Sequence, residues 1–266
     1  MFLLLNVGVE ALFVYPGQSA AGDKLSMWSV QGLALCALLG LVPAARLYAC
    51  RVAALLIFAH VVFTFPLTAN HAFLGLVCMS FVAFLDDYYP DERELLGQAL
   101  RWITAIFFFY SGFQKLLYGY YFDGQFLGYF IGFEERFSSF FGLMLPESEV
   151  QRLQAAAVVA EGAGPYRVDS GLFVVMSNLV YVFEMAAAIF LVVPRTRTIA
   201  ALASIGFVIM IELGAREVIF GFLTVNLLLL FLPGPWNARL FPLFVVMHVL
   251  LVLSVVGILP RIKIVL

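Results

Sequence analysis

The sequence predicts an all-α, polytopic transmembrane bundle of about eight spans, and three observations support this prediction. Apolar residues make up 64% of the 266 residues, charged residues only 12%, and the mean hydropathy is +1.02. Soluble domains are roughly 45–50% apolar and ~25% charged, so this chain has too few polar residues to cover a water-soluble globule. Eight apolar segments, separated by prolines and charged residues, are each close to the length of a bilayer span.

The first predicted element is a short apolar helix at the N-terminus. Residues 1–15 are apolar apart from Asn6 and Glu10, and Pro16 and Gly17 follow them. The basic residues that open a secretory signal do not precede this segment. A helix of about 15 residues spans ~22 Å, which is less than the ~30 Å hydrocarbon core. We therefore expect a partly inserted or interfacial helix, with a complete first span as the alternative.

Eight longer apolar segments account for the predicted spans. Their approximate bounds are residues 25–43, 48–66, 70–86, 100–119, 171–194, 198–213, 218–233 and 241–259. Prolines at positions 43, 66, 90, 194 and 260 lie near segment ends, where a residue that interrupts a helix is expected. No segment repeats at a fixed period, so we expect residues 1–266 to form a single transmembrane domain.

The region between residues 119 and 170 is predicted to lie at the membrane surface. It contains seven acidic residues, three arginines and many aromatic residues. Aromatic rings mixed with charged groups are typical of the bilayer interface, so we expect short interfacial helices here. Arginines of the short loops, such as Arg46, Arg51, Arg195 and Arg197, favour the cytoplasmic side for the opposite end of the bundle. The 119–170 loop is then extracytoplasmic, and we expect a bacterial inner membrane.

Charge and cysteine content exclude several classes of protein. The net charge is -2, which does not suit a nucleic-acid-binding protein. Cys36, Cys50 and Cys78 lie apart in apolar sequence, so we expect packing residues and neither a disulfide framework nor a zinc site. No two histidines are spaced at i, i+3 or i, i+4, and the sequence therefore gives no support for a metal or haem site.

Ionisable residues within apolar segments are the candidate functional residues. They are His60, His71, Lys115, Glu184, Glu212 and His248. A charged side chain at membrane depth costs ~2.5–3.5 kcal/mol, so each one needs a partner or a function. Lys115 is either a desolvated general base or a lysine that extends to the interface. Glu184 lies in the middle of its segment and needs a cation, a proton or water.

Two stretches, taken together, resemble a known membrane-protein family. Residues 70–76 read Asn-His-Ala-Phe-Leu-Gly-Leu, and residues 108–116 read Phe-Phe-Tyr-Ser-Gly-Phe-Gln-Lys-Leu, followed by Tyr-Phe-Asp-Gly at 121–124. This pattern resembles the transmembrane region of vitamin K-dependent gamma-glutamyl carboxylases and the bacterial HTTM (horizontally transferred transmembrane) proteins. Residues 217–223 are similar to a further helix of that family, and the resemblance covers roughly residues 45–235.

The resemblance implies specific roles for four residues. Lys115 would be the base that deprotonates a quinol such as vitamin K hydroquinone, and His71 would be its neighbour. Asn70 and Gln114 would support these groups near the substrate, and Glu184 is a further candidate substrate-binding residue. The large, mostly β lumenal region that holds the glutamate substrate of the carboxylase has no counterpart here. We therefore do not expect peptide carboxylation.

Two functional hypotheses follow from the sequence. In the first, Lys115 and His71 act on a quinone or lipid-like substrate in an outward-facing cavity, with a quinone or hydroquinone as the possible cofactor. In the second, the chain is a non-catalytic accessory or scaffold subunit that packs against protein subunits of a larger membrane complex. Substitution of Lys115 would abolish activity in the first case and have no effect on function in the second.

Overall fold

The computed structural model describes residues 23–65, 70–85, 89–159 and 166–255, and within these ranges every regular element is helical. The α-helices are α1 (Asp23–Leu39), α2 (Arg46–Thr64), α3 (Asn70–Phe84), α4 (Pro90–Tyr118), α5 (Gln125–Phe133), α6 (Glu135–Phe141), α7 (Glu147–Val159), α8 (Gly171–Val192), α9 (Arg197–Ala215), α10 (Val218–Leu229) and α11 (Gly234–Val255). A short 3-10 turn, Pro43–Ala45, precedes α2. The prediction of an all-α fold is confirmed for the part of the chain that the structure describes.

Each of the eight predicted apolar segments overlaps one of these helices, namely α1 to α4 and α8 to α11, although α4 begins ten residues and α11 seven residues before the predicted segment. Among the described residues, three stretches are both long enough and apolar enough to cross a bilayer: Pro43–Phe63, Gly171–Val192 and Arg197–Ala215. The apolar helices at His71–Phe84 and Phe220–Leu229 are shorter. The structure thus supports an integral membrane protein with three candidate spans, and about eight spans stays a prediction.

The structure covers two of the predicted non-spanning regions to different extents. The predicted N-terminal helix at residues 1–15 lies outside the described residues. The 119–170 region contains the three short helices α5, α6 and α7, as expected for short surface helices. Its location at a membrane surface stays a prediction.

The described chain divides into two compact units. The described residues of one unit lie within 1–103 and 217–266, and those of the other lie within 104–216. In the first unit, α1, α2 and α3 bury a core that includes Cys36 and Cys50. Cys78 is buried as well, and all three cysteines are free, so the prediction that they are packing residues is confirmed.

The short helices of the second unit share a core rich in aromatic residues. Its buried members are Ile131, Phe137, Leu145, Leu153, Val168, Phe173 and Ala215. Glycine at position 128 is required by a close approach, because a Cβ there would overlap the carbonyl group of Tyr166. The chain segment at 166–168 is therefore packed directly against α5.

A cluster of charged residues connects α7 by hydrogen bonds to the segment that precedes α8. The carboxylate of Glu149 accepts hydrogen bonds from Nε and Nη2 of Arg152, both at 2.8 Å, and from the backbone N–H of Asp169 at 2.9 Å. The hydrogen bond from Arg152 is the main cause that lowers the pKa of Glu149, against the opposing effect of burial. Arg152 also donates to the backbone carbonyl of Arg167.

The ends of α4 and α8 are set by local chemistry. Gly119 has φ +68 and follows the last residue of α4, and its N–H donates to the carbonyl of Lys115 at 3.1 Å. A left-handed residue after a helix is usually glycine, because a Cβ is disfavoured there. Ser170 caps the start of α8 by accepting a hydrogen bond from the N–H of Phe173. Lys115 consequently lies in the last turn of α4, where a positive charge is favoured by the helix dipole.

Candidate functional site

The central feature of the second unit is an ion pair between α4 and α8. Nζ of Lys115 lies 2.6 Å from Oε1 and 2.7 Å from Oε2 of Glu184, and 2.8 Å from Oγ of Ser111. Lys115 and Ser111 are one turn apart on α4, which places both on the same face of that helix. Two of the six ionisable residues that the sequence places in apolar segments, Lys115 and Glu184, are therefore each other's partner.

The hydrogen-bonding capacity of Lys115 is fully used in this arrangement. A lysine ammonium has three N–H donors, and three acceptor oxygens lie within hydrogen-bonding distance of it. The side chain of Glu184 is 7% exposed and that of Lys115 is 20% exposed. The carboxylate is thus enclosed by the protein, whereas one fifth of the lysine side chain is exposed.

A glycine on α4 permits the close approach that the ion pair needs. A Cβ on Gly112 would lie 2.7 Å from the backbone oxygen of Tyr181, 2.8 Å from Cγ of Met185 and 3.1 Å from Cβ of Glu184. The first of these atoms belongs to the backbone of α8, so it cannot move aside as a flexible side chain can. Small residues at such crossings are typical of membrane helices. Gly112 therefore fixes the distance between α4 and α8 next to the ion pair.

Polar side chains of α8 donate hydrogen bonds to the backbone of the segment that follows α4. The hydroxyl of Ser177 donates to the backbone oxygen of Tyr121 at 3.0 Å, and Nδ2 of Asn178 donates to the backbone oxygens of Tyr121 at 3.2 Å and Phe122 at 3.0 Å. The hydroxyl of Tyr181 donates to Oδ1 of Asn178 at 2.8 Å. These contacts place the ring of Tyr121, which is 7% exposed, with its centroid 5.7 Å from Nζ of Lys115.

The other predicted site residues lie apart from this arrangement or in the other unit. Gln114 is on α4 beside Lys115, and its side chain is exposed. Asn70 begins α3, and its side chain lies outside the described positions. His71 is partly buried in the first unit, where its ring centroid lies 6.5 Å from that of Phe220. The proposed neighbourhood of His71 and Lys115 stays a prediction.

The residues that the sequence reasoning did not assign to the site are Ser111, Tyr121, Ser177, Asn178 and Tyr181. Positions 177, 178, 181 and 184 follow the spacing of one helix face, so a polar stripe on the apolar helix α8 was the signal that could have revealed them.

Among the described residues, no group of three His, Cys, Asp or Glu side chains is arranged to hold a metal ion. The side chains described around Lys115 are a carboxylate, hydroxyls, an amide and an aromatic ring. No protein-family model, curated protein or solved structure matches this chain.

Proposed function

We propose that this chain is an integral membrane protein that binds a hydrophobic, oxygen-bearing molecule at Lys115, with a quinone or quinol as the favoured class. The observation that supports this proposal is the contact of Lys115 with both oxygens of Glu184, while one fifth of the lysine side chain stays exposed. An ion pair between apolar helices adds little stability compared with apolar residues of similar shape, which favours a functional role for it.

Lys115 acts as a base in this proposal through its contact with Glu184. Transfer of one proton from the ammonium to the carboxylate over 2.6 Å leaves a neutral amine beside a neutral carboxylic acid. The amine then accepts the proton of the quinol hydroxyl and becomes an ammonium again, which pairs with the new oxyanion. The ligand oxygen takes the place of Oγ of Ser111, because this hydroxyl is the only uncharged acceptor of the three.

The membrane topology is part of the same proposal. The predicted segments at 25–43, 70–86, 100–119, 218–233 and 241–259 cross or enter the bilayer together with the three candidate spans, which gives about eight spans. The 119–170 region lies on the extracytoplasmic side of a bacterial inner membrane, and the resemblance to HTTM proteins supports this arrangement. Labelling of single cysteines, introduced at exposed Tyr120 or Leu143 in a variant without Cys36, Cys50 and Cys78, tests the side of this region.

A second candidate function is that of an accessory subunit in a larger membrane complex. The observation that favours it is the complete use of the three donors of Lys115 within the chain, because a saturated ammonium serves well as a clamp between α4 and α8. In this case the exposed apolar faces of the helices are covered by other subunits as well as lipid. The ion pair then has no ligand.

Binding of decylubiquinol to the purified protein in lipid nanodiscs distinguishes the two candidates. We expect saturable binding by the natural sequence and its loss in the double variant Lys115→Met/Glu184→Leu, which replaces the pair by apolar groups of similar size. Arg167→Met is the matched control, because it breaks the exposed Arg167–Asp123 pair at 3.1 Å. Equal binding by the double variant, or no binding by the natural sequence, would refute the quinol proposal. Native mass spectrometry of the protein released from its own membrane would then show whether it belongs to a stable assembly.

A further inference from the structure

We infer that Asn178 is a positioning residue for Lys115, because it holds the chain segment that places the ring of Tyr121 against the ammonium. The inference deepens the proposed function of the Lys115–Glu184 pair and rests on it. It assigns a role to a polar residue of α8 that touches neither Lys115 nor Glu184 among the contacts described above. Its evidence is a continuous set of hydrogen bonds from α8 to the segment after α4.

The orientation of the Asn178 amide is determined by its partners. Oδ1 accepts a hydrogen bond from the hydroxyl of Tyr181 at 2.8 Å, and Nδ2 faces three backbone oxygens, those of Val174 at 2.7 Å, Phe122 at 3.0 Å and Tyr121 at 3.2 Å. The opposite orientation would place an acceptor oxygen against three other acceptor oxygens. The amide therefore has one favourable orientation, in which it acts as a donor to the segment after α4.

This donor holds the position from which the Tyr121 side chain extends. The backbone oxygen of Tyr121 accepts from the hydroxyl of Ser177, and the two N–H donors of Asn178 are shared among the backbone oxygens of Tyr121, Phe122 and Val174. Two successive carbonyls fixed in this way leave the Tyr121 backbone little freedom to rotate. The ring is held from the other side by Phe126, with ring centroids 5.0 Å apart and an angle of 23° between the planes.

The ring of Tyr121 in turn contributes to the surroundings of Lys115. Its centroid lies 5.7 Å from Nζ, within the ~6 Å over which the negative face of an aromatic ring attracts a cation. Glu184 contacts the same ammonium from α8, so two different elements hold the lysine. If the hydrogen bonds of Asn178 are removed, we expect the ring of Tyr121 to move away from Nζ of Lys115 while the ion pair remains. Asn178 thus controls the aromatic contact separately from the charge partner.

The low lysine content of the chain makes a direct test possible. Lys24, Lys115 and Lys263 are its only lysines, so protein with 13Cε-labelled lysine gives three lysine Cε signals in an NMR spectrum. Lys115→Arg removes one signal and assigns it. We expect the Hε protons of Lys115 to be displaced by the ring current of Tyr121, and Tyr121→Leu to abolish this displacement. Tyr121→Phe keeps the ring and is expected to preserve it.

The Asn178→Ala variant tests the inference itself. We expect it to remove most of the ring-current displacement at Lys115, and we expect the same substitution to have no further effect in a Tyr121→Leu background. Ser177→Ala removes one of the two donors to Tyr121 and is expected to reduce the displacement less, which provides a milder variant if Asn178→Ala folds poorly. An unchanged Lys115 signal in folded Asn178→Ala, or an equal shift with and without the ring, would overturn the inference.

The outcome is separable from that of the proposed function, because the spectra are recorded without any ligand. If decylubiquinol does not bind and the NMR pattern is as expected, the proposed function is wrong and the positioning of Lys115 by Asn178 stands. If decylubiquinol binds with equal affinity to the natural sequence and to a folded Asn178→Ala variant whose Lys115 signal is unchanged, the positioning role is wrong and the proposed function stands.

Discussion

Separate and joint removal of Lys115 and Glu184 is the most informative perturbation of this protein. The single variants are Lys115→Met and Glu184→Leu, and each removes one charge while keeping a side chain of similar size. The double variant removes both. The two atoms that form the pair lie 2.6 Å apart, and both carboxylate oxygens are in contact with the lysine.

The structure gives the expected sizes of these effects. Removal of one partner from a buried ion pair costs about 3–5 kcal/mol, because the other charge is left buried without compensation. Glu184 is 7% exposed but Lys115 is 20% exposed, so we take the lower end, about 3 kcal/mol, for each single variant. Replacement of the whole pair by apolar side chains is expected to change stability by only about 1 kcal/mol. The double variant is thus predicted to be more stable than either single variant.

Unfolding in mixed detergent micelles, followed by circular dichroism, measures these free energies of unfolding. Arg167→Met serves as control, because it removes one partner of an exposed pair and is expected to cost less than about 1 kcal/mol. Single variants that behave like this control, or a double variant whose loss equals that of the two singles together, would show that the pair is not coupled. The reasoning from burial and distance would then fail.

Three further predictions concern the surroundings of the pair and the short helices. Gly112→Ala is expected to destabilise the protein by about 1–3 kcal/mol in the same unfolding assay, because the new methyl group meets the backbone of α8. Gly206→Ala is the control: its methyl group meets nothing within 4 Å, and the variant is expected to be as stable as the natural sequence or more stable. The pKa of Glu149 is lowered, so the contribution of this carboxylate to stability is present above its ordinary pKa of 4.5 and is lost as the pH falls further. Glu149→Gln is therefore expected to make the free energy of unfolding less dependent on acid pH. The same acid dependence in the variant and the natural sequence would contradict this prediction. Arg136→Met removes a donor to the backbone oxygen of Ala215 and is expected to increase hydrogen exchange in the last turn of α9, which is measured by mass spectrometry against the natural sequence.

Hydrophobic patterning predicts the helices of this chain well, because a long apolar run bounded by proline has few alternatives to a helix. The predicted segments 48–66 and 171–194, for example, correspond to α2 and α8 with boundary differences of at most two residues. The number of spans is harder to predict, since helices such as α3 and α10 are apolar but shorter than a bilayer requires. Composition predicts their helical state, whereas length decides whether they cross.

The candidate site could be predicted only in part. Lys115 and Glu184 stand out separately, because each is an ionisable residue in apolar sequence. Their pairing could not be derived, since they are 69 residues apart and no local spacing relates them. The role of Asn178 is even less visible, because its partners are backbone carbonyls, which exist at every position of a sequence.

The separation of the two charges along the chain has a consequence for biosynthesis. At about 5–20 residues per second, a ribosome takes roughly 3–14 seconds to advance the 69 positions from Lys115 to Glu184. In the topology proposed above α4 enters the bilayer, and during this interval its lysine lacks the carboxylate. A charge in the middle of a bilayer would cost about 2.5–3.5 kcal/mol. We therefore expect nascent α4 to stay beside the insertion machinery, with its last turn in water, until α8 is delivered. Assembly of the second unit is then timed by the arrival of a single glutamate.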